Sequence, residues 1–148
     1  MNVEEVLKTT KEIPLKSRSL IHLMLVNNKV KETISAALKP YGVSLQQFNV
    51  LRILRGQGGT PANLTTLNER MVTKMSNTTR LVDKLLIKGY VDRSICEENR
   101  RKIEIVITSK GLDILKEMDE VMQKTELMLV EQFTEQELLE LNTLLNKF

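Results

Sequence analysis

The hydrophobic pattern of the chain changes its period at Gly89. Between residues 76 and 88, apolar side chains recur every three or four positions, which predicts an amphipathic helix with one buried face. After Gly89, apolar and polar residues alternate in segments 91–95 and 103–107, which predicts two β-strands joined by a basic tip. The sequence therefore predicts a helix followed by a β-hairpin. The apolar helix positions are Leu81, Val82, Leu85 and Leu86.

Long amphipathic helices are predicted on both sides of this region. The first fills residues 15–39 and is stopped by Pro40, Tyr41 and Gly42. Its apolar stripe is Leu20, Met24, Val30, Ile34 and Leu38. The second begins at Thr108 or Ser109, and its stripe is Leu112, Leu115, Met118, Met122 and Leu129. A capping box from Thr134 to Glu137 predicts a last helix. Its apolar positions are Leu138, Leu141, Leu144, Leu145 and Phe148.

Two shorter helices complete the pattern. Ser44 and Gln47 form a capping box, with Val43 and Phe48 placed for a hydrophobic staple, and this helix is predicted to run to Arg55. Thr65 or Thr66 is predicted to cap a short helix through Met71, and Thr73 to cap the helix before Gly89. Two helices joined by a tight turn and followed by a hairpin predict a winged helix-turn-helix.

These elements predict a mainly α protein with a single domain over residues 1–148. The winged helix-turn-helix is assigned to residues 44–108. Residues 1–39 and 109–148 carry apolar stripes that this compact unit does not need in order to fold. They are predicted to be dimerisation helices, because a second copy can bury such stripes in a two-fold homodimer.

Composition and charge narrow the class of protein. A length of 148 residues suits one domain, and no apolar run approaches the ~18 to 20 residues of a membrane span. Residues 1–15 lack a secretory core, and the single cysteine, Cys96, suits a reducing cytosol, so a cytoplasmic protein without a membrane partner is expected. The net charge is +5 for residues 1–67, +4 for residues 68–110 and −6 thereafter. This asymmetry favours a polyanion partner, although solvated helix faces are the alternative.

The sequence offers little chemistry for catalysis or metal binding. His22 and Cys96 are far apart in sequence, so no metal and no cofactor are expected. There is no nucleophile–base arrangement and no phosphate-binding glycine motif, so an enzyme is not expected. Cys96 is interpreted as an incidental thiol, with a redox switch beside the hairpin tip as the alternative.

Several segments in fixed order resemble the MarR family of bacterial transcription regulators. The resemblance covers roughly Ser44 to Leu115. The segments that carry it are Gln47-Phe48-Asn49-Val50-Leu51-Arg52-Ile53-Leu54, Leu67-Asn68-Glu69-Arg70-Met71, Thr79-Arg80-Leu81-Val82-Asp83-Lys84-Leu85, Lys88-Gly89-Tyr90-Val91, Asn99-Arg100-Arg101 and Ile107-Thr108-Ser109-Lys110-Gly111.

The resemblance implies a homodimer that binds a palindromic operator in double-stranded DNA and usually represses. It places Arg80 in the major groove, where a guanidinium can pair bidentately with guanine, and Arg100 in the minor groove. The candidate DNA-binding residues are Lys74, Ser76, Asn77, Thr79, Arg80, Lys84, Arg100 and Arg101.

A regulator of this kind is expected to be released by a small aromatic or amphipathic effector. The candidate ligand-binding residues are Met24, Phe48 and Met118, with ordinary core packing as the alternative. The alternative function is a winged-helix module that binds protein and no longer binds DNA.

Overall fold

The structure is a computed structural model that describes residues 2–72, 78–95 and 102–148. The mainly α fold with one hairpin is as the hydrophobic pattern predicts. In chain order, the elements are α1 (Val3–Val6), α2 (Leu15–Leu38), a 3₁₀ turn (Lys39–Tyr41), α3 (Leu45–Gly56), α4 (Leu64–Arg70), α5 (Thr78–Ile87), β1 (Val91–Ile95), β2 (Ile103–Ile107), α6 (Ser109–Val130) and α7 (Glu135–Leu145). The predicted cap at Thr73 and the predicted first helical residues, Ser76 and Asn77, lie outside the described residues.

Both predicted capping boxes are confirmed. The Ser44 hydroxyl accepts a hydrogen bond from the Gln47 backbone N–H, while the Gln47 side chain accepts one from the Ser44 N–H. Thr134 and Glu137 make the same reciprocal pair at the start of α7. Each pair satisfies backbone donors that the first turn of a helix leaves without partners.

The predicted cap of the short helix α4 was wrong. Asn63, rather than Thr65 or Thr66, is the cap, and its Oδ1 accepts from the Thr66 backbone N–H at 2.9 Å. Asparagine is as good an N-cap as serine and better than threonine, so the helix begins before the two threonines and includes them. Their own hydroxyls are therefore not needed for capping.

The hairpin makes a backbone bridge to a loop residue, which the sequence did not predict. β1 and β2 pair antiparallel, with Val91 opposite Ile107 and Ile95 opposite Ile103. Ala62, in the loop before α4, forms an isolated bridge to Ile105 through N–O distances of 2.9 and 2.8 Å. This bridge holds the loop that leads into α4 against the middle of β2.

One hydrophobic core joins the winged region to α6 and to the end of α2. Its most completely buried members come from the helices α2 to α6, both strands and the loop before α4, and each is at most 2% exposed. They include Leu38, Phe48, Leu51, Leu54, Leu67, Val82, Leu85, Ile105, Leu115 and Met118. At about 25 cal/mol per Å² of buried apolar surface, this cluster is the main source of stability.

The predicted stripes of the outer helices are only partly buried. In α2 only Leu38 is buried, whereas Leu20 and Met24 are 54% and 66% exposed. In α6, Leu115, Met118 and Met122 of the predicted stripe are buried, whereas Leu112 is 41% exposed. No residue of α7 is buried. The assignment of these helices to a dimer interface stays a prediction.

Candidate nucleic-acid interface

Helix α5 presents one buried face and one open face. Thr78, Val82 and Leu85 are at most 7% exposed, and Leu81 and Leu86 are partly buried against the core. The predicted apolar stripe is therefore confirmed. Thr79, Arg80 and Lys84 are exposed, and Arg80 and Lys84 are four residues apart, so they lie on the same side of the helix. This exposed side is hereafter the reading face.

The charge on the reading face is set by a pair that sequence reasoning missed. Asp83 is the only acidic residue of α5, and its carboxylate accepts a hydrogen bond from Nη1 of Arg93, on β1, at 2.9 Å. Both side chains are roughly half exposed, so the pair contributes at most about 1 kcal/mol to stability. It nevertheless offsets the one negative charge of the helix. Among the described residues, neither Arg80 nor Lys84 belongs to an ion pair, so their positive charges stay available.

The start of α5 is supported by α4. Leu67 on α4 is fully buried, as are Val82 and Leu85 on α5, so the two helices share the core. The Thr78 hydroxyl lies 3.4 Å from Oδ1 of Asn68, a long hydrogen bond between the helices. This arrangement is the pairing of supporting helix and recognition helix found in helix-turn-helix proteins.

The end of α5 is fastened to α6. Gly89 ends the helix with a φ of +70°, a conformation that glycine adopts without strain. The carbonyl oxygen of Gly89 accepts from the Thr108 hydroxyl, and that of Lys88 accepts from Nζ of Lys110 at 2.9 Å. The positive charge of Lys110 also interacts favourably with the negative, C-terminal end of the α5 dipole. The end of α5 is thus attached to the start of α6.

The other predicted DNA-binding residues fall in two segments that the structure does not describe. Lys74, Ser76 and Asn77 belong to residues 73–77, and Arg100 and Arg101 to residues 96–101, as does Cys96. Their roles stay predictions. Of the predicted residues, the structure describes Thr79, Arg80 and Lys84, which are all exposed on α5, and Arg80 and Lys84 share one side of the helix.

The predicted effector residues lie in different environments. Phe48 and Met118 are at most 1% exposed and belong to the core, whereas Met24 is 66% exposed on α2. Their role in ligand binding also stays a prediction. Across residues 2–72, 78–95 and 102–148 there is no group of three or more His, Cys, Asp or Glu side chains suited to hold a metal ion. Over the same ranges, every helix is too short or too polar to cross a membrane.

The α4–α5 pair and the hairpin define a winged helix-turn-helix protein. A sequence model of the MarR family matches residues 43–103. The HTH-type transcriptional regulator PapX of Escherichia coli is 28% identical over 100 residues, which cover 67% of this chain and 61% of PapX. The chain thus spans about three fifths of that curated relative.

Solved structures extend the likeness to the outer helices. Wild-type MarR from E. coli in its apo form superposes with a TM-score of 0.70 at 27% identity, covering 93% of this chain and 98% of MarR. A mutant of E. coli MarR complexed with operator DNA gives a TM-score of 0.76 at 25% identity, covering 90% and 93%. The chain therefore matches the MarR family over residues 43–103 and shares the fold of these MarR structures over about nine tenths of its length.

Proposed function

We propose that this protein is a sequence-specific, DNA-binding transcription regulator that acts as a homodimer on a palindromic operator. In the fuller form of the proposal, it represses transcription in the cytoplasm and is released by a small-molecule effector. It needs no cofactor and is not an enzyme. The likeness to a MarR protein crystallised with operator DNA supports DNA as the ligand.

One observation carries the proposal. Arg80 and Lys84 stand on the same exposed side of α5, while the opposite side is buried in the core and Arg93 offsets the only carboxylate of the helix. Within the part of the chain that the structure describes, these cations can meet a duplex without breaking an ion pair. Arg80 has the planar donor set that pairs with the O6 and N7 atoms of guanine. Lys84 suits a phosphate.

Exposed apolar side chains on the outer helices support the homodimer. They occur in α1, α2, α6, α7 and the adjoining segments, and each is more than a third exposed. They are Val6, Leu7, Leu15, Leu20, Leu23, Met24, Val26, Leu112, Leu127, Met128, Phe133, Leu139, Leu141, Leu144, Leu145 and Phe148. So much apolar surface is unusual on a monomer and typical of an interface between subunits.

The proposed effector site consists of residues from α2, α3 and α6. A small aromatic or amphipathic molecule among Met24, Phe48 and Met118 would have to part α6 from α3, because Phe48 and Met118 are buried in the core that these helices share. Such a movement would shift the reading face relative to the outer helices. It would then lower the affinity for a two-part operator.

Selection of bound sequences from a random duplex library, using the purified full chain, tests the proposal. We expect a palindromic site whose half-sites are centred about 10 to 11 base pairs apart, or a multiple of that spacing. Affinity for the selected site should fall by orders of magnitude between ~50 and ~200 mM salt, because several phosphates are neutralised. Equal affinity for all duplexes, or an affinity that does not respond to salt, would leave the alternative of a protein-binding module.

A further inference from the structure

The ion pair between Arg55 and Asp119 joins the winged region to an outer helix. Nη1 of Arg55, in the last turn of α3, donates to Oδ2 of Asp119, near the middle of α6. The other two ion pairs of the described residues stay within one region each: Arg18–Glu4 lies in the N-terminal segment, and Arg93–Asp83 lies in the winged region.

The pair sits at the rim of a buried contact. Leu54, next to Arg55, is 2% exposed, and Met118, next to Asp119, is fully buried. The core therefore brings α3 and α6 together, and the ion pair closes the edge of that contact. Apolar burial is non-directional, so the core contact opposes separation of α3 and α6 more than it opposes their rotation or sliding against each other. A guanidinium–carboxylate pair has a preferred geometry and therefore opposes those movements as well.

The first turn of α6 is fastened to the end of α5 through Thr108 and Lys110. Asp119 is about 11 residues further along, or ~16 Å at 1.5 Å per residue. The winged region is thus attached to α6 at two separated points. Two separated attachments fix the angle between the winged region and α6, whereas a single attachment would let the two rotate.

We propose that Arg55 and Asp119 are positioning residues that set the angle of the reading face relative to the dimer axis, and so the spacing of half-sites that the protein accepts. The inference rests on the proposed function, since it requires a dimer that reads two half-sites. Neither side chain needs to touch DNA for this role.

The test uses the full-length protein and a series of duplexes that carry the selected half-sites at the preferred spacing and at one or two base pairs more or fewer. Affinities are measured for wild type, Arg55→Gln and Asp119→Asn by fluorescence anisotropy. Wild type should prefer one spacing. Each variant should reduce the ratio between the preferred and neighbouring spacings by about two- to fivefold, since both side chains are partly exposed.

Matched controls are available on the same two helices. Glu120→Gln removes a carboxylate from α6, and Arg52→Gln removes a guanidinium from α3, and both leave the pair intact. Both should keep the wild-type spacing profile. The exchanged double variant, Arg55→Asp with Asp119→Arg, should restore the ratio lost in the single variants.

The outcomes separate this inference from the proposed function. If wild type binds no duplex specifically or is a monomer, the proposed function fails. If wild type shows a spacing preference that both single variants keep, the positioning role is overturned. A rise in affinity for Asp119→Asn with a fall for Arg55→Gln would also overturn it, because Arg55 would then be a phosphate contact that Asp119 restrains. Loss of the ratio in both single variants without restoration in the exchanged variant would overturn the role of the ion pair, because the two residues would then act separately.

Discussion

The hydroxyl group of Thr108 makes hydrogen bonds to two elements at once. Its Oγ1 donates to the carbonyl oxygen of Gly89 at 2.8 Å and accepts from the backbone N–H of Gly111 at 2.9 Å. A hydroxyl has one proton and two lone pairs, so one side chain can cap α6 and also fasten the residue that ends α5. The position of the recognition helix is therefore tied to the start of α6.

Replacing Thr108 by valine should destabilise the fold. Valine removes the cap and leaves the Gly89 carbonyl without its donor, and the two losses together should cost about 1 to 3 kcal/mol. Urea denaturation followed by circular dichroism measures the change. Thr143→Ala is the control, because that hydroxyl bonds to the carbonyl of Leu139 within its own exposed helix, and its loss should be nearly neutral. Equal effects of the two substitutions would contradict the dual role.

Gly111→Ala should be among the most damaging single-methyl additions in the chain. A Cβ at this position would lie 2.1 Å from the carbonyl oxygen of Tyr90 and 2.8 Å from Cγ1 of Ile107, so the backbone would have to move. We expect a loss of at least about 2 kcal/mol. At Gly56, a Cβ meets nothing within 4 Å, and Gly56→Ala should be neutral or stabilising by up to about 1 kcal/mol. Thermal melting of both variants beside wild type measures these two changes in stability.

Arg80→Ala should impair DNA binding without affecting folding. The Arg80 side chain is exposed on the reading face, so the melting temperature of the variant should match that of wild type. Binding should weaken by about 1 to 3 kcal/mol, and specificity should relax at one position in each half-site. Arg100→Ala should differ, weakening binding most at sites with narrow, A/T-rich flanks. If Arg80→Ala binds a panel of operators as tightly as wild type does, α5 does not read the proposed base in each half-site.

Charge on the apolar face of α7 should disrupt the dimer. Leu141 and Leu145 are four residues apart and are 38% and 41% exposed, so glutamates at both positions would place charge in the proposed interface. Light scattering at micromolar concentration should give about twice the chain mass for wild type and one chain mass for Leu141→Glu with Leu145→Glu. Glu140→Gln changes a charge on the same helix and should stay dimeric. A wild-type monomer would contradict the proposal.

The ion pair between α1 and α2 should weaken in acid. The pKa of Glu4 is lowered from 4.5, mainly because Nε of Arg18 donates to both carboxylate oxygens, at 2.9 and 3.2 Å. A carboxylate with a depressed pKa in the folded state stabilises that state above 4.5, and the contribution is lost as the pH falls through the lowered value. NMR shifts of α1 should follow this titration. Glu4→Gln should remove it, whereas Glu5→Gln, which loses a carboxylate outside the ion pair, should retain it.

Local pattern alone determined most of the secondary structure. The period of apolar residues predicted α5 and the strands, and the serine and threonine boxes predicted where α3 and α7 begin, because these signals depend on neighbours within four residues. The basic reading face was also predictable, since residues four apart lie on the same side of a helix.

Only the tertiary structure decided how these pieces are held. The bridge from Ala62 to Ile105, the bond from Thr108 to Gly89 and the pair of Arg55 with Asp119 join residues 19 to 64 positions apart. No local period encodes such contacts, because they arise when separate elements pack on one core. The charge available on α5 is a further example. Folding places Arg93 beside Asp83, so the carboxylate of α5 is paired with a residue of β1.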